Sequence, residues 1–409
     1  MEYISGGVCA AKGFKAAGLE VGIKSGHSGK KDMAMIFSDC YCKAAGTFTS
    51  NLVKAAPVKW DKKIISGSEE VKAIVVNSGV ANACTGQYGL ECCTNIAKKV
   101  SEVTGVEEQA VLIASTGVIG AELPMDKIYE GIEKLYQGLG EGEENAALAA
   151  EAIMTTDTVS KQIAVKTEIG GCEAVIGGMC KGSGMIHINM CTMLGFITTD
   201  VNISKEMLQE ALSETIPDTF NMVSVDGDTS TNDTVLLLAN GMAGNTCITE
   251  KNEDYNQFKS ALKCVCEELS KKIAADGEGA TALFEVKVIN AATKQDAVGL
   301  SKSVVTSTLT KAAIFGHDAN WGRILCAMGY SGVEFDPEQV DIYFESSAGK
   351  IQIVKDGRAA DYQEEEATKI LSEKAVCCIA DVKMGDAQAT AWGCDLSYDY
   401  VKINADYRS

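Results

Sequence analysis

The chain has 409 residues, 46% of them apolar and 23% charged, which suits two domains or one large one and argues against wholesale disorder. Asp and Glu number 56 against 37 Lys and Arg, a net charge of −19, and so acidic a surface is a poor match for nucleic acid or anionic lipid. No segment reaches about 18 uncharged apolar residues and Met1–Lys12 lacks a signal-peptide pattern, so a soluble, cytoplasmic protein is predicted.

Beyond residue 70, strand-like and helix-like segments alternate. Lys72–Ser78 reads as a buried strand, followed by a small-residue loop, Gly79–Gly86, and a helix through Val103. Ala110–Ser115 is a second apolar run, ended by Thr116-Gly117. Pro124 opens a helix over Met125–Leu135, since proline suits the first helical turn. Glu141–Ala152 is helical. Gln162–Thr167 and Glu173–Gly178 form a hairpin around Gly170-Gly171. Met193–Thr199 is a strand and Lys205–Ile216 a helix. Met222–Val225 and Val235–Asn240 are strands around a polar loop. Tyr255–Ala275 carries Phe258, Leu262, Val265, Leu269 and Ile273 at helical spacing.

The alternation resumes with a strand at Leu283–Val288, a helix at Asp296–Lys311 and another at Trp321–Gly329. Strands at Ile342–Glu345 and Ile351–Val354 flank Gly349. A helix at Gln363–Lys374 and a strand at Val376–Val382 follow, and Thr390–Asn404 reads as strand-like. The class is α/β, with mixed sheets sandwiched by helices. The softest boundary lies near Asn290–Lys294, which divides the chain into 1–290 and a smaller C-terminal α/β domain, 291–409.

Sixteen Cys, three His and four Pro are the unusual counts. No Cys pair has the two-residue spacing of a zinc knuckle, so neither metal nor disulfides are expected and the thiols are read as free. His27, His187 and His317 are widely separated, and a His-based triad has few candidates among them.

Five segments carry polar or small residues in unusual density. Gly177–Leu194 is a pliable Gly/Ser loop around Lys181, and it matches neither the phosphate-loop nor the dinucleotide pattern. Val225–Thr234 holds Asp226, Asp228 and Asp233, but Thr231 and Leu237 stand where a calcium loop needs Gly and Glu. It reads either as an Asx/Ser-Thr turn cluster or as a polar site wall. Ala114–Gly120 ends a strand in Thr-Gly, a candidate oxyanion hole. Phe315–Arg323 reads as a helix start capped by Asp318 or Asn320, or as a site or interface. Asp276–Thr281 puts Glu278 between two glycines after a helix, with Gly277 suited to a left-handed C-cap.

Taken together, these segments resemble the ornithine acetyltransferase (glutamate N-acetyltransferase) family of arginine biosynthesis. The likeness runs nearly end to end. It comprises Ala11–Gly18, Ala45–Thr49, Asn82–Gly86, Ser115–Gly120, Met154–Thr158, Lys181–Met185, Thr192–Leu194, Asp226–Asp233, Asp276–Thr281, Asn320–Arg323 and the tail Asn404–Ser409. The resemblance implies a fold of the DmpA/ornithine-acetyltransferase type. It also implies self-cleavage between Cys191 and Thr192 into an α piece, 1–191, and a β piece, 192–409. Thr192 becomes the nucleophile, and its freed α-amine serves as general base, which removes the need for a histidine.

The implied reaction is a ping-pong transfer of acetyl from N-acetylornithine to glutamate through acetyl-Thr192. Acetyl-CoA is a second donor in the bifunctional members only. By position, Thr116 and Gly117 match the oxyanion hole. Thr155, Lys181, Thr192, Glu278, Asn404 and Ser409 match the substrate contacts, with Lys181 suited to a carboxylate and Glu278 to a cationic amine. No cofactor or metal is implied. The partners are the small substrates and further copies of the pieces, as α2β2. Two positions depart from the pattern: Cys191 replaces the usual Ala, and Ser409 the usual Thr. His187 is assigned no role and is expected at the surface or against Met185. Two alternatives remain: a self-processing aminopeptidase or amidase that passes the acyl group to water, and a non-enzymatic acidic binding protein.

Overall fold

The structure is a computed structural model that describes residues 1–24, 29–67, 70–187 and 193–405. His27, Cys191, Thr192 and Ser409 lie outside the described residues.

Two mixed sheets organise the chain. The first contains β1 (Glu2–Ile4), β2 (Phe14–Leu19), β3 (Met33–Phe48), β4 (Val71–Val80) and β5 (Val111–Val118). It continues with β6 (Lys161–Ile169), β7 (Cys172–Lys181), β8 (Leu194–Thr199) and, after the short β9 (Val223–Ser224), β10 (Thr234–Ala239). Its order is β1-β6-β7-β8-β10-β3-β4-β5, with β2 paired to β3. β8 and β10 are parallel neighbours, buried along their whole length, so they read as continuous apolar runs rather than alternating ones. Gly170 and Gly171, at φ 57° and 75°, close the β6–β7 hairpin, where both turn positions need a left-handed backbone.

The second sheet contains β9 and β11 (Leu283–Ala291), β12 (Asp341–Ser346), β13 (Gly349–Lys355), β14 (Arg358–Ala359), β15 (Ala375–Asp381) and β16 (Ala387–Cys394). Its order is β14-β13-β12-β15-β11-β16-β9. The division read at residue 290 falls inside β11.

Helices cover both sheets: α1 (Ala56–Gly67), α2 (Gly86–Thr104), α3 (Met125–Gln137), α4 (Glu143–Ala152), α5 (Lys205–Thr215) and α6 (Glu253–Ala275) come first. They are followed by α7 (Lys294–Thr306), α8 (Thr308–Phe315), α9 (Trp321–Gly329), α10 (Glu364–Leu371) and α11 (Tyr398–Ala405). α6 starts where the Asn252 side chain accepts from the Tyr255 N–H at 3.0 Å, a cap that satisfies an otherwise orphaned donor. Its apolar stripe, Phe258 to Ile273, belongs to a cluster that joins both sheets, so α6 packs against each of them. This agrees with the expected α/β class.

Three local readings change. The expected single helix over Asp296–Lys311 is two, because the Ser307 side chain accepts from the Thr310 N–H and starts α8. The tail beyond Cys394 is not strand-like: Tyr398–Ala405 is helical. Gly279, at φ 72°, takes the left-handed position after α6, and Gly277 does not.

Candidate active site

The polar residues singled out in sequence converge at one end of β8. In the first sheet, Leu194 at the start of β8 faces Lys181 at the end of β7 on one side and Thr234 at the start of β10 on the other. A cavity of about 340 Å³ opens there. Thr116, Gly117, Thr155, Lys181, Glu278 and Asn404 all line it, although they come from five separate stretches of the chain.

Thr116 and Gly117 sit where β4 and β5 run parallel and the register slips around Val80. Gly117 has φ 127°, and a Cβ there would stand 2.7 Å from the Gly79 Cα. Only glycine fits, for both backbone and steric reasons. The Asn232 side-chain amide donates to the carbonyls of Ala81 (2.6 Å) and Ser115 (2.8 Å), which ties the polar loop to this turn. Ser230, Thr231 and Asn232 line the cavity, while the Asp226 carboxylate accepts from the Asp228 N–H and the Ser230 hydroxyl from the Asn232 N–H, so the loop is both a turn cluster and a wall of the cavity.

Lys181 is 3% exposed and approaches the Thr116 hydroxyl at 3.4 Å. Burial pulls its ammonium down, and Asp157 beside it pushes the other way. Asp157 accepts from the Lys161 ammonium at 2.7 Å, the Gly182 N–H at 2.7 Å and the Thr155 N–H at 3.0 Å. Burial raises the Asp157 carboxyl, but Lys181 and Lys161 outweigh it and hold the group at about 2. Lys161 also donates to Asp276 at 2.5 Å, and burial of its ammonium is overcome by Asp157 and Asp276. Buried ions of both signs are therefore matched beneath the floor of the cavity, as burial requires. Sequence reading missed Asp157 and Lys161 as individuals. Asp157 does lie in the Met154–Thr158 segment that carries the resemblance, but nothing there set its side chain apart.

Glu278 is 8% exposed. Its backbone N–H donates to the Ser183 carbonyl at 3.0 Å, and its carboxylate accepts from the Asn404 amide at 2.8 Å. A Cβ on Gly184 would collide with that carboxylate, so this glycine makes room for it. Asp226 accepts from the N–H groups of Met185 (2.6 Å) and Ile186 (2.8 Å) and pins the loop that leads to the expected cleavage point. Met185, at φ 57°, is a strained non-glycine residue at the cavity wall.

His187 is half-buried, faces the Ser224 hydroxyl at 3.3 Å, and has its ring pushed down by burial. Asn320 caps α9 by accepting from the Arg323 N–H at 3.3 Å, so Phe315–Arg323 is a capped helix start that stays away from the cavity lining. The described cysteines are free thiols. Among the described residues, no group of His, Cys, Asp and Glu is placed to hold a metal ion, and no helix is long and apolar enough to cross a membrane.

Comparison with known proteins agrees with this arrangement. A family model described as the ArgJ family matches residues 15–409. The chain belongs to the ArgJ family. The arginine biosynthesis bifunctional protein ArgJ of Symbiobacterium thermophilum is 50% identical over 409 residues, which cover 100% of both chains. Arginine biosynthesis bifunctional protein ArgJ 1 of Clostridium acetobutylicum is 52% identical over 396 residues, 97% of this chain and 96% of that one. The crystal structure of the ArgJ protein of Bacillus halodurans is 48% identical, with a TM-score of 0.50. It covers 52% of this chain and 98% of its own, so that crystallised ArgJ chain is about half as long.

Proposed function

We propose that the chain cleaves itself between Cys191 and Thr192 and then transfers acetyl from N-acetylornithine to glutamate through an ester on Thr192. The observation that carries this reading is the convergence of the six described candidate residues on one cavity beside the first described residue of β8's approach, Met193. The half-length crystallised relative supports a chain that works as two pieces.

In the proposed cycle the Thr192 hydroxyl attacks the acetyl carbonyl, its proton passes to the Thr192 amine, and that proton leaves with ornithine's amine. Glutamate's amine then attacks the ester and carries the acetyl away. The developing oxyanion is held at Thr116 and Gly117, where a fixed donor contributes about 3–4 kcal/mol in comparable sites. Lys181 takes a substrate carboxylate. Glu278, steadied by Asn404, takes a cationic amine. Thr155 and the tail through Ser409 complete the substrate contacts. The description of the relatives as bifunctional supports acetyl-CoA as a second donor. A cytoplasmic α2β2 assembly, and a division into a catalytic region 1–290 and a C-terminal region 291–409, complete the proposal.

Denaturing electrophoresis with N-terminal sequencing tests the cut. The expected result is two pieces, the second beginning at Thr192, and one intact chain in Thr192→Ala with no transfer. A parent chain that stays intact overturns the mechanism. A cleaved chain that releases acetate faster than it acetylates glutamate overturns the transfer in favour of a hydrolase.

A further inference from the structure

β5 ends the first sheet, so the ladder flanks Thr116 and Gly117 on one side only, and the β4–β5 register slips at Gly79 and Val80 beside them. Gly117, at φ 127°, also has the backbone freedom of a residue without a Cβ. A turn that presents donors to the cavity from such a place needs a restraint from outside the ladder.

Asn232 is 7% exposed, and both hydrogens of its amide are spent on this turn, one on the Ser115 carbonyl at 2.8 Å and one on the Ala81 carbonyl at 2.6 Å. Its Oδ1 accepts from the Thr231 hydroxyl at 2.6 Å. Because both carbonyls only accept, the amide has one possible orientation. The Ser115 carbonyl and the Thr116 N–H belong to one planar trans peptide, so gripping the carbonyl sets the plane that enters Thr116. Beyond the pair, the Val118 carbonyl accepts from the Ala81 N–H at 2.9 Å, and Ala81 is the residue whose carbonyl Asn232 holds. Thr116 and Gly117 are thus bracketed, before and after, by bonds that meet at one side-chain amide. The loop that carries it is anchored in turn: the Thr49 hydroxyl donates to the Ser230 carbonyl at 2.7 Å, and the Ala55 N–H to the Thr231 carbonyl at 3.0 Å. Asn77 braces β4 against β5, accepting from the Ser115 hydroxyl at 2.6 Å and donating to the Val80 carbonyl at 2.8 Å, but leaves the Ser115 carbonyl to Asn232.

We propose that Asn232 is a positioning residue that holds Thr116 and Gly117 in the orientation that receives the acetyl oxyanion. The inference rests on the reading of that pair as the oxyanion hole. The amide hydrogens of Asn232 are already taken, so it donates nothing to the substrate, and no bond forms or breaks at it. Thr116 and Gly117 lie in the proposed first piece, 1–191, and Asn232 in the second, 192–409. The oxyanion hole is therefore complete only while the two pieces are docked.

Asn232→Ala removes both donors. Denaturing electrophoresis reads the cut, thermal melting reads folding, and rates are taken per cleaved chain. The expected kcat is about 100-fold below the parent's, with KM for either substrate changed less than about threefold, the pattern of lost orientation rather than lost binding. Charge develops on the same acetyl oxygen in both half-reactions. Single-turnover acetylation by N-acetylornithine and deacetylation by glutamate should therefore slow by factors that agree within about threefold.

Parent-like kcat overturns the proposal, as does a loss confined to KM or to one half-reaction. A folded variant that stays uncut also overturns it, because the loop then serves the cut rather than the turn. Should Asn232→Ala fail to fold, Asn232→Asp keeps the shape but sets acceptors against both carbonyls, and parent-like kcat in that variant overturns the proposal equally. Failure of both to fold overturns it in favour of a purely structural role. The parent, assayed alongside, separates the two ideas: an inactive, uncut parent removes the function, whereas an active parent with an equally active Asn232→Ala removes only the role of Asn232.

Discussion

The role proposed for Lys181, holding a substrate carboxylate, requires its buried ammonium to stay charged, and that depends on a residue the substrate need not touch. Asp157 faces both Lys181 and Lys161 from a buried position. Asp157→Asn leaves Lys161 with Asp276 alone and leaves Lys181 without its nearest counter-charge. Breaking a buried pair in this way costs about 3–5 kcal/mol, which urea denaturation at pH 7 would read directly. The pH dependence has a definite sign. The folded carboxyl, at about 2, lies below its unfolded value, so its stabilisation is complete above about pH 4 and is lost as pH falls through about 2. The deficit of Asp157→Asn relative to the parent should therefore shrink between about pH 4 and 2. A deficit that stays constant over that range would count against ionised Asp157 as the support of the site.

At the scale of elements, the last helix illustrates what a sequence pattern carries and what it does not. α11 has no fully buried residue and only Tyr400 is half-buried, so it has no buried stripe to reveal a helical period, and Thr390–Asn404 reads as strand up to and through it. It is held by a few specific contacts: the Tyr398 ring stands edge-on to Phe315 at 5.6 Å, Ser397 donates to the Gly279 carbonyl at 2.5 Å, and Asn404 donates to Glu278. Because α11 touches the rest of the chain so lightly, Asn404→Ala should shift the melting temperature little. A lost hydrogen bond to a charged group should instead raise KM for the amine substrate by about tenfold, read by steady-state kinetics. The elements legible in sequence were those with a buried face, such as α6, β4 and β8. β3 was not, since its sixteen residues are buried over Met33–Ser38, exposed over Asp39–Tyr41 and mixed beyond, with a register shift between Phe37 and Cys42, which erases any alternation. The site was legible as segments because each combined small residues with a few polar ones. Asp157, Lys161 and Asn232 were not legible singly, because what distinguishes them is which distant backbone group or charge they meet.

For the whole molecule, a cut between residues 191 and 192 would fall between β7 and β8, which are antiparallel neighbours in the middle of the first sheet. The first piece would supply β1 through β7, and the second would insert β8 and β10 between β7 and β3. The second sheet would belong wholly to the second piece. Pulling the pieces apart would expose β8 and β10, which are buried throughout, and would unpair both of their outer edges. Apolar burial at roughly 25 cal/mol per Å² over two such strands, together with their ladder bonds, makes separation unfavourable in water. The cleaved protein is therefore expected to elute as one species from native gel filtration and to melt in one cooperative transition, yielding separate pieces only in denaturant. Pieces that part in native buffer, or that melt independently, would show that the first sheet does not survive the cut as a shared structure, and the cavity at the start of β8 would lose the strands that build it.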